Sequence, residues 1–166
     1  MSFDFTNEPL VFAATLFGEA SGWPRDCLED VAQCILNRHV DDWAPTVLAV
    51  CLAPWQFSCW NAGTADRARL LAAAEAGTDP VWLECEDVAR TARDGGNPDR
   101  ILGADSYYAR SMSGKPSWAC PPAVFRYGDS AHLFWQVRPV KGVPNVSVLS
   151  AADVLNQQQL DTMQET

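Results

Sequence analysis

Positive charge is scarce in this chain. Twelve Lys and Arg stand against twenty-one Asp and Glu, a net charge of −9, and residues 1–60 hold eight acids against two basic side chains. A nucleic-acid binder would show a basic face, and an anionic membrane surface would repel such a chain. Neither partner is expected, although a locally basic groove stays open. Long apolar runs are missing too. The run at residues 10–17 is far below the roughly 20 residues that span a bilayer, so no membrane insertion is expected. Residues 1–5 lack the basic start and the small-residue cleavage site of a signal peptide. The expectation is a protein made soluble in a cytoplasm. Histidine is limited to His39 and His132, and no Cys-x-x-Cys pair occurs. No metal site and no cofactor are expected from such a set. The six cysteines, without a secretion signal, read as buried free thiols. Cys27 and Cys34 share a helix face, but two turns, about 10 Å of rise, separate them, beyond the reach of a disulfide. There is no internal repeat and no low-complexity tract.

What is present suffices for one domain. A length of 166 residues with 48% hydrophobic side chains supports a single core and excludes disorder, and a monomer is expected. The apolar run at 10–17 reads as a buried helix, capped by Thr6 or Asn7, with Pro9 in its first turn. Gly22 reads as its stop. Pro24 opens a second helix whose apolar positions Cys27, Leu28, Val31, Cys34 and Ile35 recur at helical spacing. Asp26, Glu29 and Asp30 are placed facing out near its start. A short helix at about 44–52 ends before Pro54. Residues 55–60 alternate aromatic and polar side chains and predict a strand or hairpin arm. Helices are predicted from Thr64 or Asp66 to Ala76 and from Pro80 to about Arg93. Residues 106–108 read as a strand, and 124–127 and 131–135 as a strand pair around a tight Gly128-Asp129-Ser130 turn. Composition shifts at Pro139. The domain plan is therefore a body at 1–138 and an extension at 139–166 with a short helix, packed on the body or used in contacts.

One acid stands apart. Glu19 falls in the last turn of the predicted core helix, where apolar walls and the negative helix end both favour the protonated acid. That setting makes a general acid near neutral pH. Gly18 beside it is read as room for a ligand. The alternative is a solvated Glu in a C-terminal turn.

Several short stretches then carry a resemblance. Gly18-Glu19-Ala20-Ser21-Gly22-Trp23-Pro24, Val31-Ala32-Gln33-Cys34-Ile35-Leu36-Asn37-Arg38 and Gln56-Phe57-Ser58-Cys59-Trp60 resemble the SleB-type cell-wall hydrolases, the spore-cortex-lytic enzymes that phages and Gram-negative bacteria also carry. Gly103-Ala104-Asp105-Ser106-Tyr107-Tyr108, Pro116-Ser117-Trp118-Ala119 and Gly128-x-x-x-His132-x-Phe134 follow in the family's order. Ser106 stands where the family usually has His. The resemblance spans about residues 10–136. It implies an α+β, mainly α, lysozyme-like fold with small β-hairpins lining a cleft, an enzyme that cleaves peptidoglycan glycan strands, and Glu19 as the catalytic acid. Phage origin, as an endolysin released to the wall through a membrane lesion, fits it.

Around Glu19 the candidates are Gln56 and Ser58, placed on one strand side to bond acetamido groups, and Tyr107, to hold Glu19 or a sugar hydroxyl. Trp23, Trp55, Trp60 and Trp118 are candidate stacking platforms, against the alternative that the tryptophans mostly fill the core. His132 reads as a core histidine or, with Cys59, as half of a Cys/His amidase. A two-carboxylate glycosidase would need a partner among Asp26, Glu29, Asp30, Asp41 and Asp42. With a lone acid, the chemistry is lytic transglycosylation: Glu19 protonates the glycosidic oxygen, then takes the C6 hydroxyl proton as a 1,6-anhydro ring closes. Muramidase-type hydrolysis comes next. A non-catalytic wall-binding or virion structural domain is the rival outside enzymes.

Overall fold

A computed structural model gives the architecture of residues 3–40 and 44–138. The extension at 139–166, with its predicted helix, and the candidates Asp41 and Asp42 lie outside the described residues.

Helix α1, Glu8–Ala20, is the centre of the fold. The Asn7 side chain accepts the Leu10 N–H and Pro9 sits in the first turn, so the helix starts where local chemistry directs. Val11 to Phe17 are all buried, on every side of the helix. A helix apolar all round must be enclosed, and four others enclose it: α2 (Arg25–Val40), α3 (Val47–Cys51), α4 (Ala65–Ala76) and α5 (Pro80–Arg93). Phe12 and Leu16 have no exposed surface, and such burial contributes roughly 1.5–3 kcal/mol per side chain. α3, α4 and α5 begin at Thr46, Thr64 and Asp79, each accepting an N–H of its first turn. α4 ends at Gly77, which takes a left-handed conformation.

Three strands follow: β1 (Ser106–Ala109), β2 (Val124–Gly128) and β3 (His132–Gln136). They form an antiparallel sheet in the order β1-β3-β2. His132, Phe134 and Gln136 face inward along β3, and Phe134 joins the main core. The architecture is thus α+β and mainly helical. Among the described residues no helix is long and apolar enough to cross a membrane.

Three sequence expectations are corrected. Residues 55–60 form no strand; they make a turn and a 3-10 helical turn, Ser58–Trp60. Their alternation is real, with Phe57 and Cys59 buried and Gln56 and Ser58 exposed, but it comes from a turn laid on the end of α1. The stop read at Gly22 falls just past the observed end of α1, which closes at Ala20 with Ser21 as its right-handed cap, and Gly22 itself is not left-handed. Asp30 does not face out; it is fully buried. Nor do the tryptophans mostly fill the core. Among the described residues only Trp82 is fully buried, and Trp55 is 90% exposed.

Candidate active site

The end of α1 meets the turn at residues 55–61 because Gly18 has no side chain. A Cβ there would lie 2.3 Å from the Cys59 Cβ and 2.8 Å from its Sγ. The space expected for a ligand is thus filled by Cys59. The close approach brings the Cys59 N–H to 3.4 Å from Glu19 Oε1. From the sheet, the Tyr107 hydroxyl donates to Glu19 Oε2 at 3.1 Å. Desolvation of that hydroxyl, then the negative charge of Glu19, push Tyr107 well above the ordinary tyrosine range, so it stays a protonated donor. Both oxygens of Glu19 are therefore held by groups far away in sequence.

Glu19 lines a cleft of about 340 Å3, with Arg38, Trp55, Gln56, Ser58 and His132 among its walls. Arg38, at the end of α2, donates from Nε to the Asp105 carbonyl at 2.6 Å and from a terminal nitrogen to Gln56 Oε1 at 3.3 Å. Its guanidinium lies 5.1 Å from the Phe57 ring centroid. With its oxygen engaged, Gln56 keeps its amide N–H groups for a ligand. Trp55 has a φ of 65°, a conformation that costs a bulky residue about 1–3 kcal/mol, and it leaves its indole in solvent at the cleft.

The structure thus brings together Glu19, Trp55, Gln56, Ser58, Tyr107 and His132. It leaves Trp23, Trp60 and Trp118 outside the cleft wall. Trp23 does not line the cleft. Trp60 is structural: its Nε1 donates to Thr15 Oγ1 at 3.1 Å and its ring packs against Phe3 and Phe5. Trp118 stands edge-on to Tyr108, a wall residue, at 5.9 Å between centroids. The α2 carboxylates are engaged elsewhere. Arg100 pairs with Glu29 at 3.1 Å and Asp30 at 3.0 Å, and Asp26 Oδ1 accepts the Cys27 N–H at 2.9 Å. Among the described residues Glu19 is the cleft's carboxylate. Cys59 is fully buried, and burial, then Glu19, push its thiol far up, the reverse of an activated nucleophile. Arg38, Asn61, Tyr108 and Ala109 are the cleft residues that sequence reasoning left without a role; Arg38 and Tyr108 carried a signal, since each closes one of the quoted motifs.

Residues 24–134 match the cell wall hydrolase family, and the chain belongs to it. Glu19 lies just before the matched stretch, whereas Trp55, Gln56, Tyr107 and His132 lie within it. Neither the curated proteins nor the solved structures give a match.

Proposed function

We propose that this cell wall hydrolase cuts the β-1,4 glycan strand of peptidoglycan between N-acetylmuramic acid and N-acetylglucosamine, as a lytic transglycosylase on a lysozyme-like body. One observation carries the proposal: a single carboxylate, Glu19, held at both oxygens, in a cleft with no second carboxylate among the described residues. Glu19 gives its proton to the glycosidic oxygen as the C1–O bond breaks. The C6 hydroxyl of the same sugar then closes on C1. A tethered nucleophile gains effective molarity worth up to roughly 7–11 kcal/mol, so no second carboxylate is required to activate a water. The Glu19 carboxylate left behind is one acceptor for the C6 proton. Trp55 is the sugar platform, and Gln56 and Ser58 bond acetamido groups. An amidase built on Cys59 is disfavoured by the burial of its thiol.

Mass spectrometry of muropeptides from a purified wall digest tests this. Fragments ending in 1,6-anhydro-N-acetylmuramic acid, lighter by one water than hydrolysis products, are expected. Reducible muramic acid ends would mean a muramidase, and free stem peptides an amidase. The proposal extends to a phage endolysin: purified protein added to permeabilised cells should lyse them from outside.

A further inference from the structure

The cleft contains a second group suited to proton transfer, and it is not a carboxylate. His132 opens β3 and is only 4% exposed, yet it forms part of the cleft wall with Glu19. The rings of Tyr107 and Phe134 hold it, with centroids at 5.0 and 5.9 Å. Behind it, in the turn between β2 and β3, Asp129 is itself buried. Asp129 Oδ1 accepts the backbone N–H groups of Ala131 and His132, and Oδ2 lies 3.3 Å from His132 Nδ1. Burial pushes Asp129 up, but the hydrogen bonds from His132 and Ala131 outweigh it and hold the carboxyl below its ordinary range. Asp129 is thus ionised at neutral pH, and an ionised carboxylate only accepts. The proton in this contact therefore sits on Nδ1. In the neutral ring the lone pair is then on Nε2, the ring nitrogen that does not face Asp129.

We propose that His132, fixed in this tautomer by Asp129, is the base of the glycan-cleaving reaction, with Glu19 as its acid; this rests on the function proposed above. Glu19 transfers its proton to the glycosidic oxygen, and the electron pair of the breaking C1–O bond leaves with that oxygen as the new sugar hydroxyl. A lone pair of O6 forms the C1–O6 bond, and the O6 proton passes to His132 Nε2. The products are the anhydro sugar, the free 4-hydroxyl end, a Glu19 carboxylate and a His132 imidazolium. Return of that proton to Glu19 through solvent restores the enzyme, and no co-reactant is consumed. If water attacks instead, the same base takes the water's proton.

The charged and titratable groups around His132 are Asp129 from the turn, Tyr107 from β1, and Glu19 and Arg38 across the cleft; about Asp129 itself stand Arg110, whose Nε donates to the Asp129 carbonyl, Tyr127 of β2, and Asp26, Cys27 and Asp30 of α2. The test is kcat and KM against pH on purified glycan strands, for wild type, His132→Gln and Asp129→Asn, with thermal melts of each. His132→Gln should lower kcat by about 10²- to 10⁴-fold while KM stays within about threefold. The wild-type kcat should fall on the acid side as the imidazole protonates, and that limb should vanish in His132→Gln. Asp129→Asn presents an amide N–H to Nδ1, reverses the tautomer, and should lower kcat by at least about tenfold. Added imidazole should restore part of the activity of His132→Ala. A folded His132→Gln with kcat within about threefold of wild type, or with the acid limb intact, overturns the proposal. If His132→Gln does not fold, a folded Asp129→Asn with wild-type kcat overturns it. Wild-type enzyme that releases no glycan fragments refutes the glycan-cleavage function itself, a failure distinct from an unaffected variant.

Discussion

Glu19 depends on two donors that arrive from 40 and 88 residues away, the Cys59 N–H and the Tyr107 hydroxyl. Glu19→Gln keeps an acceptor for either donor but removes the proton that the leaving oxygen needs. Lysis of purified walls should fall below a few per cent of wild type, while the melting temperature stays level or rises, as is common when a catalytic charge is removed. Turbidity loss and a calorimetric melt check both halves, and substantial residual lysis would refute Glu19 as the acid. Trp55 carries the opposite signature: it costs the fold backbone strain and returns no burial. Trp55→Ala should raise KM on soluble glycan strands by about tenfold, in the range of a lost aromatic contact of about 1.5 kcal/mol. Trp55→Gly should do the same and also raise the melting temperature, since glycine adopts positive φ freely. Unchanged KM in both variants would exclude Trp55 as the sugar platform.

Between elements, the decisive contact is α1 against the 3-10 turn. Alanine normally improves on glycine in a helix by about 1 kcal/mol. At Gly18 the sign reverses, because the new Cβ would lie 2.3 Å from the Cys59 Cβ. Gly18→Ala should cost about 1–3 kcal/mol, the usual range for overpacking, and it should also lower kcat, since the turn that moves away carries a donor to Glu19. Adding Cys59→Gly reopens the space. Melting temperature and kcat of the double variant should recover together, and recovery of stability alone would separate the turn from the chemistry. The sequence placed Gly18 beside the acid but gave no means of telling ligand from core. A missing side chain shows only that something approaches closely; Cys59 is named by the packing of residues 41 positions apart. The alternation at 55–60 was misread for a related reason. Two buried and two exposed side chains satisfy a strand pattern, and a turn over a helix end satisfies it as well.

For the whole molecule, the junction between α2 and the sheet links stability to pH. Burial, less the opposing charge of Arg100, pushes Asp30 up to about 6. The folded protein thus binds this proton more tightly than the unfolded chain, whose carboxyl titrates near 4. Its contribution is fully present below about pH 4 and is lost as pH rises through about 6. Asp129 acts in the opposite direction: its lowered carboxyl stabilises the fold above about pH 4, and this is lost on further acidification. Asp30→Asn should therefore compare better with wild type in melts at about pH 7.5 than at about pH 4.5; an equal difference at both would refute the shift. The thiols give a second global test. Burial pushes Cys51 and Cys85 up to about 12 and Cys59 higher, while Cys120 is exposed. Iodoacetamide on the folded protein should add one group, at Cys120, and leave lysis intact. Loss of lysis in Cys59→Ala, whose backbone N–H is unchanged, would favour the amidase. The sequence by itself determined the helices from their caps at Asn7, Thr64 and Asp79, the β2–β3 strand pair from its turn, and the place of Glu19 in the last turn of α1. These signals act within a few residues, where periodicity and capping chemistry decide. Only the tertiary structure decided that Asp30 turns inward, that Trp55 rather than Trp60 or Trp23 faces the cleft, and that His132 shares it with Glu19. Each of these depends on which distant segments pack together, and that is fixed by burial summed over the whole core rather than by neighbours in the chain.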